Sequence, residues 1–285
     1  MDRRRFLQYS AGALAAAWGA PRIALGAEAP SVPVACEKHV LGKTGIHTSF
    51  LGMGTGVRAG GGESALHRRG EDTYMEVLEH AYAKGLRYLD LADSYGAHRL
   101  VRDAMNSFMD RDEMMLLTKT FSRDAEGVKA DIERYRQELD TDAIDVLLLH
   151  CLTETGWTES MKETMDVVSE AKAQGHIRAH GVSCHDFGAM AEAADSDWVE
   201  VLLARVNPHG AVMDGPTDEV VPVLQRAHDT GKGVIGMKIL GEGRLADHKD
   251  ECLAFARDLE CLDAITIGFL STDEVDDVVT RLDSA

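Results

Sequence analysis

The strongest constraint on this chain is a repeated order: a short apolar run, then a stretch with helical spacing, eight times over. The runs begin near residues 49, 86, 114, 144, 177, 199, 233 and 264. The helical stretches fall near 71–84, 98–108, 125–139, 159–174, 189–194, 219–228, 249–259 and 272–282. Several end at glycine, as at Gly85, Gly175 and Gly231, the residue that most readily takes the left-handed turn closing a helix. Residues 144–149 are apolar apart from Asp145, the pattern of a parallel strand covered on both faces. Eight strand–helix units predict an α/β fold closed into a (β/α)8 barrel. No Gly-x-Gly-x-x-Gly follows a strand to favour an open doubly wound sheet. Residues 38–48, with Gly42 and Gly45, predict a small hairpin ahead of the first barrel strand. Barrels of about 250 residues are usual as one domain. A chain of 285 residues therefore predicts a single barrel over 30–285 and a leader over 1–29.

The leader has a basic start, Asp2-Arg3-Arg4-Arg5-Phe6-Leu7, an alanine-rich apolar middle over 10–20, and small residues around Ala24-Leu25-Gly26-Ala27. That is the pattern of an export signal, too short for a stable membrane anchor. Paired arginines before Phe6-Leu7 resemble the twin-arginine type, which predicts a periplasmic or exported protein handled by the twin-arginine machinery after folding. Such a route permits export with a tightly held cofactor. The formal net charge is -18, and residues 1–27 contribute +3 of it, leaving -21 without them. A surface this acidic repels nucleic acid and anionic membranes. Five cysteines, Cys36, Cys151, Cys184, Cys252 and Cys261, show no C-x-x-C pair. They provide neither a disulfide framework nor the cluster of an iron–sulfur centre.

Four chemistry-bearing residues close apolar runs or lie in the adjoining turn. Asp90 and Tyr95 sit in Tyr88-Leu89-Asp90-Leu91-Ala92-Asp93-Ser94-Tyr95-Gly96. Lys119 ends Met115-Leu116-Leu117-Thr118-Lys119, and His150 ends Val146-Leu147-Leu148-Leu149-His150. Strand exits are where α/β barrels place their chemistry. A separate set, His150, Cys151, Cys184, His185 and His209, also follows strands and offers an alternative: an exported barrel that binds metal or ligand without hydride transfer. Alternation along a strand argues against His150 and Cys151 facing the same way.

In order and spacing these stretches resemble the aldo-keto reductases. Leu41-Gly42-Lys43-Thr44-Gly45, Leu51-Gly52-Met53-Gly54-Thr55, Asp145-Val146-Leu147-Leu148-Leu149-His150 and Gly181-Val182-Ser183 complete the likeness. The resemblance implies a (β/α)8 TIM barrel that reduces small-molecule aldehydes or ketones with NADPH or NADH. Tyr95 would donate the proton, Lys119 would lower its pKa, Asp90 would hold Lys119, and His150 would orient the carbonyl. Gly54, Thr55, Ser183, Met237, Lys238, Gly243, Arg244, Gly268 and Ser271 would border the cofactor, and Trp157 would pack on substrate. Three positions depart from the commoner pattern: Cys184 for asparagine, Leu203 for glutamine and Met237 for a stacking tyrosine. Between Arg257 and Arg281 there is no cation to meet a 2'-phosphate, which favours NAD over NADP.

Overall fold

The computed structural model describes residues 32–284. The export signal expected over 1–29 lies outside them. After a hairpin of β1 (Lys38–Val40) and β2 (His47–Ser49), eight parallel strands close a barrel. They are β3 (Leu51–Gly54), β4 (Tyr88–Asp90), β5 (Met115–Thr120), β6 (Ile144–Leu152), β7 (Ile177–Cys184), β8 (Val201–Arg205), β9 (Gly233–Met237) and β10 (Ala264–Gly268). Neighbours pair in chain order and β10 returns to β3, with Ile265 opposite Leu51 and Gly268 opposite Gly54. Between and after them run α1 (Glu71–Ala83), α2 (His98–Met105), α3 (Ala125–Leu139), α4 (Trp157–Ser160), α5 (Lys162–Ala173), α6 (Phe187–Asp195), α7 (Thr217–Asp229), α8 (Lys249–Asp258) and α9 (Thr272–Ser284). The single (β/α)8 barrel expected from the sequence is what forms. Among the described residues no helix is long and apolar enough to cross a membrane.

Strand residues alternate between two buried layers, which is why both faces had to be apolar. Met115, Leu117, Val146, Leu148, Leu203 and Ile235 fill the barrel interior, while Leu116, Leu147, Leu149 and Leu202 pack outward against the helices. The hairpin plugs the interior from below with Leu41 and Ile46, both fully or almost fully buried. Burying each of these side chains stabilises the fold by roughly 1.5–3 kcal/mol. Gly42 allows the close approach: a Cβ there would lie 2.4 Å from the amide nitrogen of Gly233. Asp263 locks the same end, accepting from Gly42 N at 3.1 Å and Val234 N at 2.9 Å.

Two local departures bear on the site. The helix expected over 159–174 is two helices, broken at Met161 (φ -110°, ψ 20°). Strand β6 loses regular pairing between Leu149 and Leu152, where Cys151 takes φ +61°. Simple alternation therefore fails at this position. A bulge at a strand exit re-aims the side chains beside it.

Candidate active site

All four residues singled out at strand exits converge on one end of the barrel. Lys119, on β5, is fully buried and reaches across to pair with Asp90 at the end of β4. Its ammonium also donates to the Leu91 carbonyl at 2.8 Å. Thr55 fixes the Asp90 backbone, its amide and its hydroxyl both donating to the Asp90 carbonyl, at 3.0 and 2.9 Å. A short 3-10 turn over Asp93–Tyr95 follows, and it lays the Tyr95 ring with the Lys119 nitrogen 4.9 Å from its centroid. The ring lies against Gly56, where a Cβ would come within 2.4 Å of its Cζ. His150 meets Tyr95 edge-on, with ring centroids 6.0 Å apart at 87°.

The electrostatics differ from expectation at Tyr95. Burial first, and the Asp90 carboxylate second, push its phenol well above the ordinary range. The expected lowering by Lys119 is not found. The ammonium stands over the ring face and its charge is answered by Asp90. Burial pulls Lys119 itself down, with the Asp90 contact opposing. Burial, reinforced by the Lys119 charge, lowers His150 to about 2, so its imidazole is neutral at any ordinary pH. Tyr95 thus keeps its proton and His150 stays a neutral ring.

The β6 bulge sets the aim of His150. Ser183 on β7 accepts from the Cys151 amide at 2.8 Å, and Arg123 donates to the His150 carbonyl at 2.5 Å. Phe121, about half exposed, stacks on His150 with centroids 4.1 Å apart. A second cluster adjoins it: Arg205 at the end of β8 contacts Nδ1 of His185 and bonds Asp214 at 3.1 Å. Burial raises Asp214 to about 6 against the pull of Arg205, and burial with the Arg205 charge lowers His185 to about 4.

A cavity of about 510 Å³ runs from Asp90 and Tyr95 across the ends of β9 and β10 to Glu274 in the first turn of α9. Of the residues expected at a cofactor, Gly54, Met237, Lys238, Gly243 and Gly268 line it. Thr55 and Ser183 are buried beneath the site, serving Asp90 and the bulge. Arg244 is exposed beside Gly243, and Ser271 accepts from the Glu274 amide at 3.3 Å; neither is on the wall. The wall fits an extended dinucleotide. Thr266 presents a buried, unpartnered hydroxyl, and Gly243 (φ +89°) leaves open backbone where a Cβ would meet nothing. Lys238 holds φ +58° at the exit of β9, a strained backbone of the kind kept where a loop must be shaped. Glu274 is held pointing at the far end by the Leu270 amide at 2.7 Å.

Trp157 is placed elsewhere. It is 3% exposed, its indole donates to the Ala189 carbonyl at 3.3 Å, and it packs on Trp198 in the helix layer. Phe121 takes the aromatic position at the mouth instead. It lies two residues beyond Lys119, so the strand-exit rule that found Lys119 points to it as well. Of the metal set suggested by the sequence, His150 and His185 meet at the mouth with ring centroids 6.4 Å apart, while His209 stands with His248 and Glu251. Among the described residues, the one group of histidine and carboxylate ligands within reach of a common ion is His209, His248 and Glu251, exposed on the surface.

Comparison with known proteins decides the family. The sequence profile of the aldo/keto reductase family matches residues 51–261. The chain belongs to that family. A methylglyoxal reductase of Escherichia coli, YeaE, is 33% identical over 138 residues, which is 46% of this chain and 45% of that protein. An NADH-specific methylglyoxal reductase of the same organism is 22% identical over 66% of this chain and 64% of that protein. The chain spans about half the length of the curated relatives it matches. In three dimensions this aldo/keto reductase chain superposes on the aldo-keto reductase AKR11C1 of Bacillus halodurans in its holo form with a TM-score of 0.70. That match has 19% identity and covers 88% of this chain and 92% of the other, a likeness of fold.

Proposed function

We propose that this chain reduces small aldehydes or ketones to alcohols, with NADH preferred to NADPH. The observation that carries the reading is the Lys119–Asp90 ion pair beneath Tyr95 at the closed end of the groove, with His150 edge-on to the phenol. A reduced nicotinamide dinucleotide lying along the groove would supply the hydride. The chain's own residues do the rest. His150, neutral, donates a hydrogen bond to the carbonyl oxygen and turns its carbon towards the groove. Tyr95, fully protonated, gives its proton to the oxygen as negative charge builds there. Asp90 and Lys119 hold the tyrosine turn from below, and Phe121 shields the oxygen side from water. Two relatives named for methylglyoxal make a small dicarbonyl a suitable first substrate.

The cofactor preference rests on Glu274 at the far end of the groove, where a carboxylate opposes a 2'-phosphate. Export by the twin-arginine route, with the dinucleotide retained, completes the proposal and rests on Arg3-Arg4-Arg5-Phe6-Leu7.

The test is a parallel titration with NADH and NADPH by nicotinamide fluorescence, followed by turnover with methylglyoxal and an aldehyde panel. Tyr95→Phe should bind the dinucleotide as the parent does and lose about 10²- to 10⁴-fold in turnover. Glu274→Lys should shift the preference towards NADPH. A parent chain that binds neither nucleotide would falsify the reading.

A further inference from the structure

On the surface, two loops meet at side chains the reductase chemistry leaves unused. The turn after β8 is built around Asn207, which is fully buried. Its side-chain oxygen accepts from the amides of His209 and Ala211 at 3.2 and 3.1 Å, and its amide donates to the Ala211 carbonyl at 2.8 Å. His209 therefore projects from a fixed turn. The segment after β9 ends in a 3-10 turn over Ala246–His248 and runs into α8, whose first turn carries Glu251. Nε2 of His209 lies 3.0 Å from a Glu251 carboxylate oxygen, and Nδ1 of His248 lies 3.4 Å from the same oxygen. The two rings tilt towards each other with centroids 4.6 Å apart. One donor atom from each residue falls within 4.8 Å of the other two.

We propose that His209, His248 and Glu251 form a site for a divalent transition-metal ion, zinc being the best match, which ties the 207–211 turn to the 238–251 segment. Bonds of about 2.0–2.1 Å to a tetrahedral ion put neighbouring donors roughly 3.4 Å apart, close to the two separations seen. Two imidazoles and one carboxylate suit zinc, whereas magnesium and calcium prefer all-oxygen shells. The site is exposed, so water completes the coordination. The inner side of the same segment carries Lys238, Leu240, Glu242, Gly243, Ala246 and Lys249, which line the groove. An ion at this site therefore restrains one groove wall. Ion binding stands without the nucleotide reading; only the benefit to a bound dinucleotide rests on it.

The test uses the full chain with no nucleotide present. Calorimetric titration with zinc should give one ion per chain in the parent, with magnesium silent. His209→Ala and His248→Ala should each weaken zinc binding at least tenfold, with unchanged circular dichroism because both side chains are exposed. Cobalt in place of zinc should give a visible spectrum of nitrogen–oxygen ligation that both variants lose. Amide exchange over 238–248 should slow on adding zinc to the parent and stay the same in His209→Ala. Equal zinc affinity in parent and variants, as from the half-buried cysteines, overturns the site. Tight binding without slower exchange overturns the tie between the loops.

Discussion

Lys119 is the residue whose removal separates structure from chemistry. Its ammonium is the cation paired with a carboxylate that is 6% exposed, so Lys119→Met leaves Asp90 charged and buried. Breaking a buried pair this way costs about 3–5 kcal/mol, much of it the penalty for the orphaned charge. Urea unfolding should show that loss, and turnover should fall with it. Adding Asp90→Asn should restore part of the stability and none of the turnover, because the support beneath Tyr95 stays absent. Equal recovery of both would mean the pair is only structural. At this scale the four residues were legible because each closes an apolar run or the turn after it, and a closed barrel has one end at which such runs exit. Trp157 follows the same rule and fails it. An aromatic just beyond a strand can turn into the helix layer, and sequence spacing does not record which way it goes. The direction of the Tyr95 shift was also hidden, since it comes first from burial of the phenol and then from the Asp90 carboxylate, neither of which sequence spacing records.

At the scale of elements, the two ends of the barrel divide their work, one for chemistry and the other for stability. Asp145, second residue of β6, sits at the end opposite the site with a side chain 1% exposed. It pairs with Arg111 at 2.8 Å and Arg178 at 2.7 Å, and accepts the Leu116 amide at 2.9 Å. One carboxylate thus binds β5, β6 and β7 together. Asp145→Ala should cost about 1–3 kcal/mol, mainly by leaving the buried Leu116 amide without its acceptor, read as a lower urea midpoint, while turnover per folded molecule stays near the parent value. A large loss of turnover in fully folded Asp145→Ala would show that the ends are coupled. The elements themselves were readable from apolar runs and from glycines that stop helices. The break at Met161 and the bulge at Cys151 were not, because neither carries glycine or proline. The bulge forms because the Ser183 hydroxyl and the Arg123 guanidinium satisfy backbone groups that the strand ladder would otherwise take, partners distant in sequence.

For the whole molecule, barrel closure follows from counting units, but the groove does not. Much of its wall comes from 238–246, a loop without periodicity that β9 and the start of α8 bring to the mouth. Closure also buries histidines, and that shapes the acid response. His150 is lowered to about 2, and His180 and His185 to about 4, burial being the main cause in each. Free imidazole takes its proton near pH 6.5. Between about pH 6.5 and 4 the unfolded chain therefore holds protons that these folded rings refuse, so stability falls as pH falls. Asp214, raised to about 6, and Asp263, also raised by burial, act in the opposite sense, since the folded form takes up their protons first. The imidazoles outnumber them. Below about pH 4.5, Asp131 and Glu138 add to the loss, because their lowered carboxyls stabilise the fold only while ionised. The urea midpoint should therefore drop steadily from pH 7 to pH 4. His180 is the probe: it stacks on Trp198 with ring centroids 4.4 Å apart and lies 3.7 Å from the Glu200 carboxylate, away from the groove wall. His180→Phe keeps the stack and removes one titrating ring. Its midpoint should change less over that range than the parent's, with turnover at pH 7 unaffected. Identical slopes in the two proteins would mean that His180 takes its proton as readily in the folded barrel as in the unfolded chain.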